Sequence, residues 1–377
     1  MRIAIVRGKY LNKYEMQYYE PLAKKHQLVG FGSLKPFHDK FAFPVVKLPS
    51  PMDLPDFPFK MPILNRLCVD AQWLFGLERR LRGFDIAHCA ETYMHFTWQC
   101  LNAKKRGYVK KVVATVSENI PFNNEGIWGR KIFKRRAIAE LDHIIAISQR
   151  AKKALILEGC DSKKITVIGH HVDTSAFTPK KVSRIKYQVS RKVNILFVGR
   201  LELCKGVFEI LFVAKELLSD PELKDYDLIF TLIGKGNEKK RLLEMERQLG
   251  IVDKVVHKTV PYPKMPQEYQ KADIFVAPSQ ATRHWQEQFS MVLLEAQASG
   301  LPIVTTCSGA IPENVGQAAI LVPPADFYSL AEAIKKFILN PKMREEYGKK
   351  ARERAVKYFD IKIGAKKLEE VYQKLLV

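Results

Sequence analysis

The sequence predicts an α/β protein made of two doubly wound parallel-sheet domains, and three observations lead to that class. The chain has 377 residues, above the usual single-domain size and long enough to bury two separate cores. Short runs rich in Val, Ile, Leu and Phe alternate with helical patterns from one end to the other, as in parallel strands covered on both faces. These runs fall into two series, divided at residues 173–192 by a Lys- and Arg-rich stretch of weak periodicity containing Pro179, which reads as a linker.

The first series places strands at residues 3–6, 28–31, 85–88, 111–116, 143–147 and 165–168, giving a domain over 1–172. Its start, Met1-Arg2-Ile3-Ala4-Ile5-Val6-Arg7-Gly8, has too short an apolar stretch for a signal peptide and reads as the first buried strand. The second series places strands at 195–198, 228–233, 254–257, 274–277, 303–305 and 319–322, a second domain over 193–355. From Asp326 to Val377 the pattern is helical throughout, ending in a terminal helix over 356–377. No apolar run approaches the ~18–20 residues that cross a bilayer. Hydrophobic content of 47% with 27% charged excludes extended disorder. Cys68, Cys89, Cys100, Cys160, Cys204 and Cys307 are scattered without CxxC spacing, which predicts reduced thiols in a cytoplasmic protein.

The most informative stretch is Glu287-Gln288-Phe289-Ser290-Met291-Val292-Leu293-Leu294-Glu295, two carboxylates set across the start of a helix. A strand at 274–277 precedes it, and Ser299-Gly300-Leu301-Pro302 closes the helix before the strand at 303–305. In a doubly wound unit that helix N-terminus faces the ligand crevice. Backbone N–H groups around Phe289, Ser290, Met291 and Val292 can then cradle a diphosphate, favoured by the helix dipole. Glu295 is placed for ribose hydroxyls and Glu287 for a sugar, so the stretch can hold a nucleotide sugar.

With this spacing the chain resembles the retaining GT-B glycosyltransferases of the glycosyl transferase group 1 family, marked by Glu, seven residues, Glu and a Gly-Leu-Pro turn. Further marks follow in order: Gly199-Arg200-Leu201 with Lys205-Gly206, then Leu232-Ile233-Gly234-Lys235-Gly236, then Gly309-Ala310-Ile311-Pro312-Glu313. The resemblance implies two Rossmann-like domains facing a central cleft, with the C-terminal helix crossing back to the acceptor-binding N-terminal domain. It implies donor-binding roles for Gly8, Gly199, Arg200, Lys205, Gly234, Phe289, Ser290, Met291, Val292 and Glu295. Arg200 and Lys205 would hold the diphosphate, which is also the leaving group, so they favour the transition state over the ground state.

The first domain departs from the family pattern. Arg7-Gly8-Lys9-Tyr10 stands where many members have Gly-Gly, and Ser117 stands where a His is common. Glu118 and Asn119, together with His88 and nearby Glu91, are then the candidate polar groups at the reaction centre. In Gly169-His170-His171-Val172-Asp173 the two histidines replace the usual Asn-Gly, and adjacent side chains projecting apart do not make a metal site. Trp285 and His284 lie where the donor sugar is expected.

Charge is uneven. Residues 1–190 hold 33 Lys and Arg against 16 Asp and Glu, a balance of +17, whereas residues 191–377 hold 29 against 24, or +5. Such an excess fits an anionic acceptor, or an anionic membrane surface contacted through Lys104-Lys105-Arg106, Lys110-Lys111 and Arg130 to Arg136 with Ile132 and Phe133; it also fits a plain solvated surface.

The reading is therefore transfer of a hexosyl group from a UDP- or GDP-hexose to an acceptor hydroxyl with retention, in cell-envelope polysaccharide or glycolipid synthesis, in the cytoplasm or peripheral on the inner face of the membrane. The catalytic set is Glu287, Arg200, Lys205, His88 and Glu118. No metal and no cofactor beyond the sugar nucleotide are required, since Arg200 and Lys205 supply the cations. The acceptor is a glycan, a lipid-linked sugar or a small molecule. A GT-B sugar-nucleotide epimerase and a basic nucleic-acid or membrane-binding protein without catalysis stay open. Against nucleic acid, the chain lacks a zinc finger, a basic heptad region and an aromatic RNP-like strand.

Overall fold

The computed structural model describes residues 1–180 and 191–377, so residues 181–190 of the expected linker lie outside the described residues. The chain forms two compact units, one made of Met1–His171 with Ile361–Val377 and the other of Val172–Asp360.

In the first unit, strands β1 (Arg2–Gly8), β2 (Gln27–Gly32), β3 (Val45–Lys47), β4 (Phe84–Ala90), β5 (Val109–Val116), β6 (His143–Ala146) and β7 (Ile165–Val167) form a parallel sheet in the order β3-β2-β1-β4-β5-β6-β7. Their near-continuous apolar runs reflect burial on both faces; Ile3, Ala4, Ile5 and Val6 are each fully buried. Strand β3 was not expected. It has three residues and follows Pro44, whose carbonyl accepts from Gly30 N at 2.8 Å, so it carries too little periodicity to be read from sequence. The helix Ile361–Leu376 belongs to this unit, burying Ala365, Leu368 and Tyr372 at helical spacing among Ile3, Ile5, Leu22 and Val113.

The second unit holds β8 (Lys192–Val198), β9 (Asp227–Ile233), β10 (Val255–Lys258), β11 (Ile274–Ala277), β12 (Ile303–Thr306) and β13 (Ala319–Val322), parallel in the order β10-β9-β8-β11-β12-β13. Its core packs Phe197, Phe230 and Val276 against Leu211 and Ala214 of the helix Val207–Ser219 and Ile334 and Phe337 of the helix Phe327–Leu339. The expected unbroken helical tail is three helices, Phe327–Leu339, Pro341–Tyr358 and Ile361–Leu376. Asn340 breaks it once by capping Met343 N ahead of Pro341, and Phe359–Asp360 breaks it again, where Val172 N donates to the Phe359 carbonyl at 2.9 Å and Val172 bridges Asp360. Among the described residues no helix is long and apolar enough to cross a membrane, and all the cysteines are free.

Candidate functional site

In the second unit the sheet order reverses between β8 and β11, which opens the ligand crevice of a doubly wound fold at the carboxyl ends of those strands. From the end of β8 come Gly199, Arg200 and the short 3-10 turn Leu203–Lys205; from the end of β11 come Ser279 and the 280–290 loop. Lys205 Nζ donates to Glu287 Oε2 at 2.6 Å, and Ser279 Oγ donates to the same oxygen at 2.9 Å. The ammonium also lies 4.8 Å from the Trp285 ring centroid. Gln280 N bonds the Cys204 carbonyl at 2.8 Å, tying the two loops together. Ala310 N bonds the Glu287 carbonyl at 2.9 Å, and at Gly309, φ +56°, a Cβ would stand 2.0 Å from that carbonyl oxygen, so only glycine fits.

Lys205 ends the 3-10 turn and precedes the next helix. The helix begins at Val207 with Gly206 as its cap, so Lys205 stands just ahead of the positive end of its dipole, a place that favours an anionic partner for the ammonium. The Arg200 guanidinium is exposed and bonded to both oxygens of Glu202, at 2.8 and 2.7 Å. Gly199 and Gly234 do meet. Gly199 N donates to Ile233 O at 3.0 Å, and a Cβ on Gly234 would stand 1.8 Å from the Gly199 carbonyl oxygen.

The helix carrying Glu295 is Met291–Ala298, so Phe289 and Ser290 precede it and Met291 and Val292 form its first turn. Ser290 sits at φ 51°, ψ 94°, a conformation rare for a residue with a Cβ. The Asn314 side-chain amide holds this turn by donating to the carbonyls of Phe289 and Ser290. Glu295 is buried, and Tyr262 Oη donates to Oε1 at 2.8 Å while Tyr269 Oη donates to Oε2 at 2.7 Å. Burial pushes its carboxyl up to about 7 against the opposing pull of both hydroxyls. A carboxylate has about four lone-pair sites, so the tyrosines leave room for further donors.

In the first unit the order reverses between β1 and β4. Gly8 ends β1, where a Cβ would stand 2.6 Å from Gln72 Oε1. Arg7, beside Gly8 in the segment that replaces Gly-Gly, points inward, bonding the His88 carbonyl at 2.9 Å and Tyr19 Oη at 3.1 Å. His88 is a core residue and not a reaction-centre group. It is fully buried, Nε2 meets Thr115 Oγ1 at 2.7 Å, Nδ1 meets Tyr372 Oη at 2.5 Å, and burial holds its pKa well below the usual histidine range. Glu118 is likewise spent locally. Oε1 accepts from the backbone of Asn119 and Ile120 at 3.0 and 2.9 Å, and Oε2 from the Asn123 and Asn124 amides at 2.9 Å each, so it organises its own loop.

The basic clusters also differ from expectation. Lys104 and Lys111 pair with Asp142, Arg106 with Glu78 and Lys110 with Asp85. Arg130 and Lys134 are buried on Asp70 and Glu158, and Phe133 is buried too. Sequence reasoning passed over Ser279, Tyr262 and Tyr269, which reach the glutamates from other loops and helices, and Asn314, which holds the carbonyls of Phe289 and Ser290; no spacing rule marks them. The triplet Asp225-Tyr226-Asp227 has the Asp-x-Asp spacing of a metal motif, but Asp227 starts β9, at the amino end of the parallel strands and away from the crevice at their carboxyl ends, and bonds Lys254 at 3.0 Å.

Two doubly wound parallel-sheet units, with a Lys–Glu pair at the switch point of the second, define the GT-B class. The chain belongs to the glycosyl transferases group 1 family: residues 180–354 match the family described as Glycosyl transferases group 1, and residues 39–176 match Glycosyltransferase Family 4. It is 30% identical to the D-inositol 3-phosphate glycosyltransferase of Corynebacterium jeikeium over 65% of this chain and 60% of that protein. To that of Kribbella flavida it is 28% identical over 60% of this chain and 55% of that protein. The chain thus spans less than two thirds of the length of these relatives. In structure it is similar to HepE of Anabaena in complex with UDP, with a TM-score of 0.77, 18% identity and coverage of 99% and 100% of the two chains. It is also similar to a sucrose-phosphate synthase from Thermosynechococcus elongatus, with a TM-score of 0.76, 17% identity and coverage of 100% and 99%.

Proposed function

We propose that the protein transfers a hexosyl group from a nucleotide-diphosphate sugar to an acceptor hydroxyl, with retention at the anomeric carbon. The observation that carries this is the Lys205–Glu287–Ser279 cluster at the switch point of the second sheet, with the buried Glu295 on the adjoining helix. In this reading Lys205 and Arg200 hold the diphosphate with the backbone N–H groups of Phe289, Ser290, Met291 and Val292, Glu295 accepts from the ribose, and Glu287 accepts from sugar hydroxyls. The anomeric carbon–oxygen bond to the diphosphate breaks, a bond to the acceptor oxygen forms on the same face, and the acceptor proton passes to the departing phosphate oxygen. The protein contributes position and charge stabilisation of the leaving group, and no metal is needed. Support for the donor comes from the similarity to a protein crystallised with UDP. Relatives named for D-inositol 3-phosphate, together with the +17 balance of residues 1–190, favour an anionic, polyhydroxylated acceptor in envelope glycan or glycolipid assembly.

The test is a thermal-shift panel of UDP, GDP, ADP and their hexose conjugates, with Mg2+ or EDTA, on the wild type and Glu295→Ala. A ligand at about 100 times its dissociation constant stabilises by about 2.7 kcal/mol. One nucleotide stabilising the wild type alone, without metal, supports the donor site; no nucleotide doing so sinks it. Product analysis with the donor found and D-inositol 3-phosphate as acceptor probe then separates transfer from epimerisation, which needs no acceptor.

We infer that this step occurs at an anionic membrane surface in the cytoplasm. Phe59, Leu67, Trp128 and Ile132 expose 77%, 75%, 72% and 63% of their surface. The helix Lys60–Cys68 ends beside Trp128, for a Cβ at Gly129 would lie 2.7 Å from the Val69 side chain. Exposed Arg66, Lys131 and Arg135 supply matching charge. Flotation with phosphatidylglycerol vesicles but not phosphatidylcholine vesicles, lost in Trp128→Glu, is expected. Absence of flotation, or a concentration-dependent dimer covering the same face, overturns it.

A further inference from the structure

The geometry points to Glu91 as a positioning residue for the acceptor: its Oε2, in place of the expected Glu118 or His88, takes a hydroxyl of a polyhydroxylated acceptor at the switch point of the first sheet. The assignment rests on the transferase reading above. Glu91 directly follows β4, the strand that neighbours β1 where the order reverses, and parallel doubly wound sheets bind ligands at the carboxyl ends of such strands.

Three observations single it out. The residue is 7% exposed, Oε1 accepts from Ser117 N at 2.8 Å, and Oε2 is shielded from bulk solvent without a hydrogen-bond partner. A buried carboxylate oxygen left unpaired is costly, and an incoming hydroxyl would satisfy it. Glu118, by contrast, spends both oxygens on its own loop. The backbone at Glu91 adopts φ +55°, unusual for a side chain of this size, and is held there by Glu91 N to Thr115 O at 2.8 Å and by Thr97 Oγ1 to the Glu91 carbonyl at 2.9 Å. Such strain persists where the surrounding structure enforces it, and it clusters at working sites.

The groups around the carboxyl are the Glu118 carboxylate and the Tyr93 hydroxyl, with the Asp70–Arg130 pair beyond; the Arg130 guanidinium lies 4.8 Å from the Tyr93 ring centroid and its Nε is also buried without a partner. An aromatic ring, a carboxylate and a guanidinium together suit a hydroxyl-bearing ring. Burial raises the Glu91 carboxyl to about 7, reinforced by the Glu118 carboxylate and opposed by the N–H and hydroxyl of Ser117 and the N–H of Glu118. The ionised carboxylate is the stronger acceptor for a hydroxyl on Oε2, so acceptor binding should tighten as pH rises through that range.

The experiment measures donor affinity, donor hydrolysis and the acceptor KM for D-inositol 3-phosphate in Glu91→Gln and Glu91→Gly. The glycine variant guards against a folding artefact, because φ +55° suits glycine and its melting temperature should equal or exceed that of the wild type. Expected is an acceptor KM about tenfold or more higher in both variants, and independent of pH, with donor affinity and hydrolysis retained. Unchanged acceptor KM in the folded glycine variant, or a wild type that turns over donor to water without using this acceptor, overturns the Glu91 assignment. Failure of the wild type to bind or hydrolyse any donor overturns the transferase reading instead.

Discussion

Lys205 Nζ lies 2.6 Å from Glu287 Oε2, so the cation expected on a diphosphate and the carboxylate expected on a sugar neutralise each other. The side chains are 18% and 8% exposed, dry enough for the pair to be held firmly and open enough for a ligand to compete. A donor bearing phosphate at one end and hydroxyls at the other can replace this contact with two, one to each partner.

Lys205→Ala is accordingly expected to reduce transfer by about 10²–10³-fold, the scale of losing one preorganised stabilising group. Turnover with saturating donor and acceptor is the measurement. Near-normal turnover in a folded variant would remove Lys205 from the diphosphate.

Stability should depend on pH through Glu295 and Glu91. Both carboxyls rise from 4.5 to about 7 on folding, so between those values the folded chain binds more protons than the unfolded chain. Their contribution is complete below the unfolded value and is lost as pH rises through about 7, with a slope of at most about 1.4 kcal/mol per pH unit for each group. Urea melts from pH 5 to 8 should show the decline, and Glu295→Gln should flatten it. A slope unchanged in that variant contradicts the assignment.

Donor affinity should move the other way. Ribose hydroxyls donate to an ionised carboxylate, so binding should strengthen as pH rises through about 7. Tyr262→Phe, which removes a donor bonded at 2.8 Å, should shift this rise to higher pH. A pH-independent dissociation constant in the wild type is the contrary result.

Gly309→Ala places a Cβ 2.0 Å from the Glu287 carbonyl oxygen at φ +56°, so the loop must shift. A loss of about 1–3 kcal/mol in denaturant stability is expected, with a fall in turnover exceeding it because Glu287 moves with its backbone. Wild-type turnover would mean that the position of Glu287 is not critical.

His88→Ala should cost about 2–4 kcal/mol by opening a cavity among Tyr19, Thr115 and Tyr372. Assayed at a temperature where the variant is folded, its turnover should stay within a few-fold of the wild type. A catalytic loss at full folding would restore the role the sequence suggested.

The sequence by itself determined the two parallel sheets and the donor-side motif. Strands buried on both faces must be continuous apolar runs, so β1, β5, β9 and β11 are visible without contacts. Glu287, Glu295, Gly199 and Lys205 are legible for a different reason: they lie at fixed offsets from strand and helix ends, and the fold turns offsets into positions. Only the tertiary structure decided which polar groups are already spent. Glu118 meets its own loop, and His88 is enclosed by Tyr19 and by Tyr372 from the far end of the chain, leaving Glu91 with an unpaired oxygen. Hydrogen-bond satisfaction depends on neighbours distant in sequence, and a linear pattern does not record them.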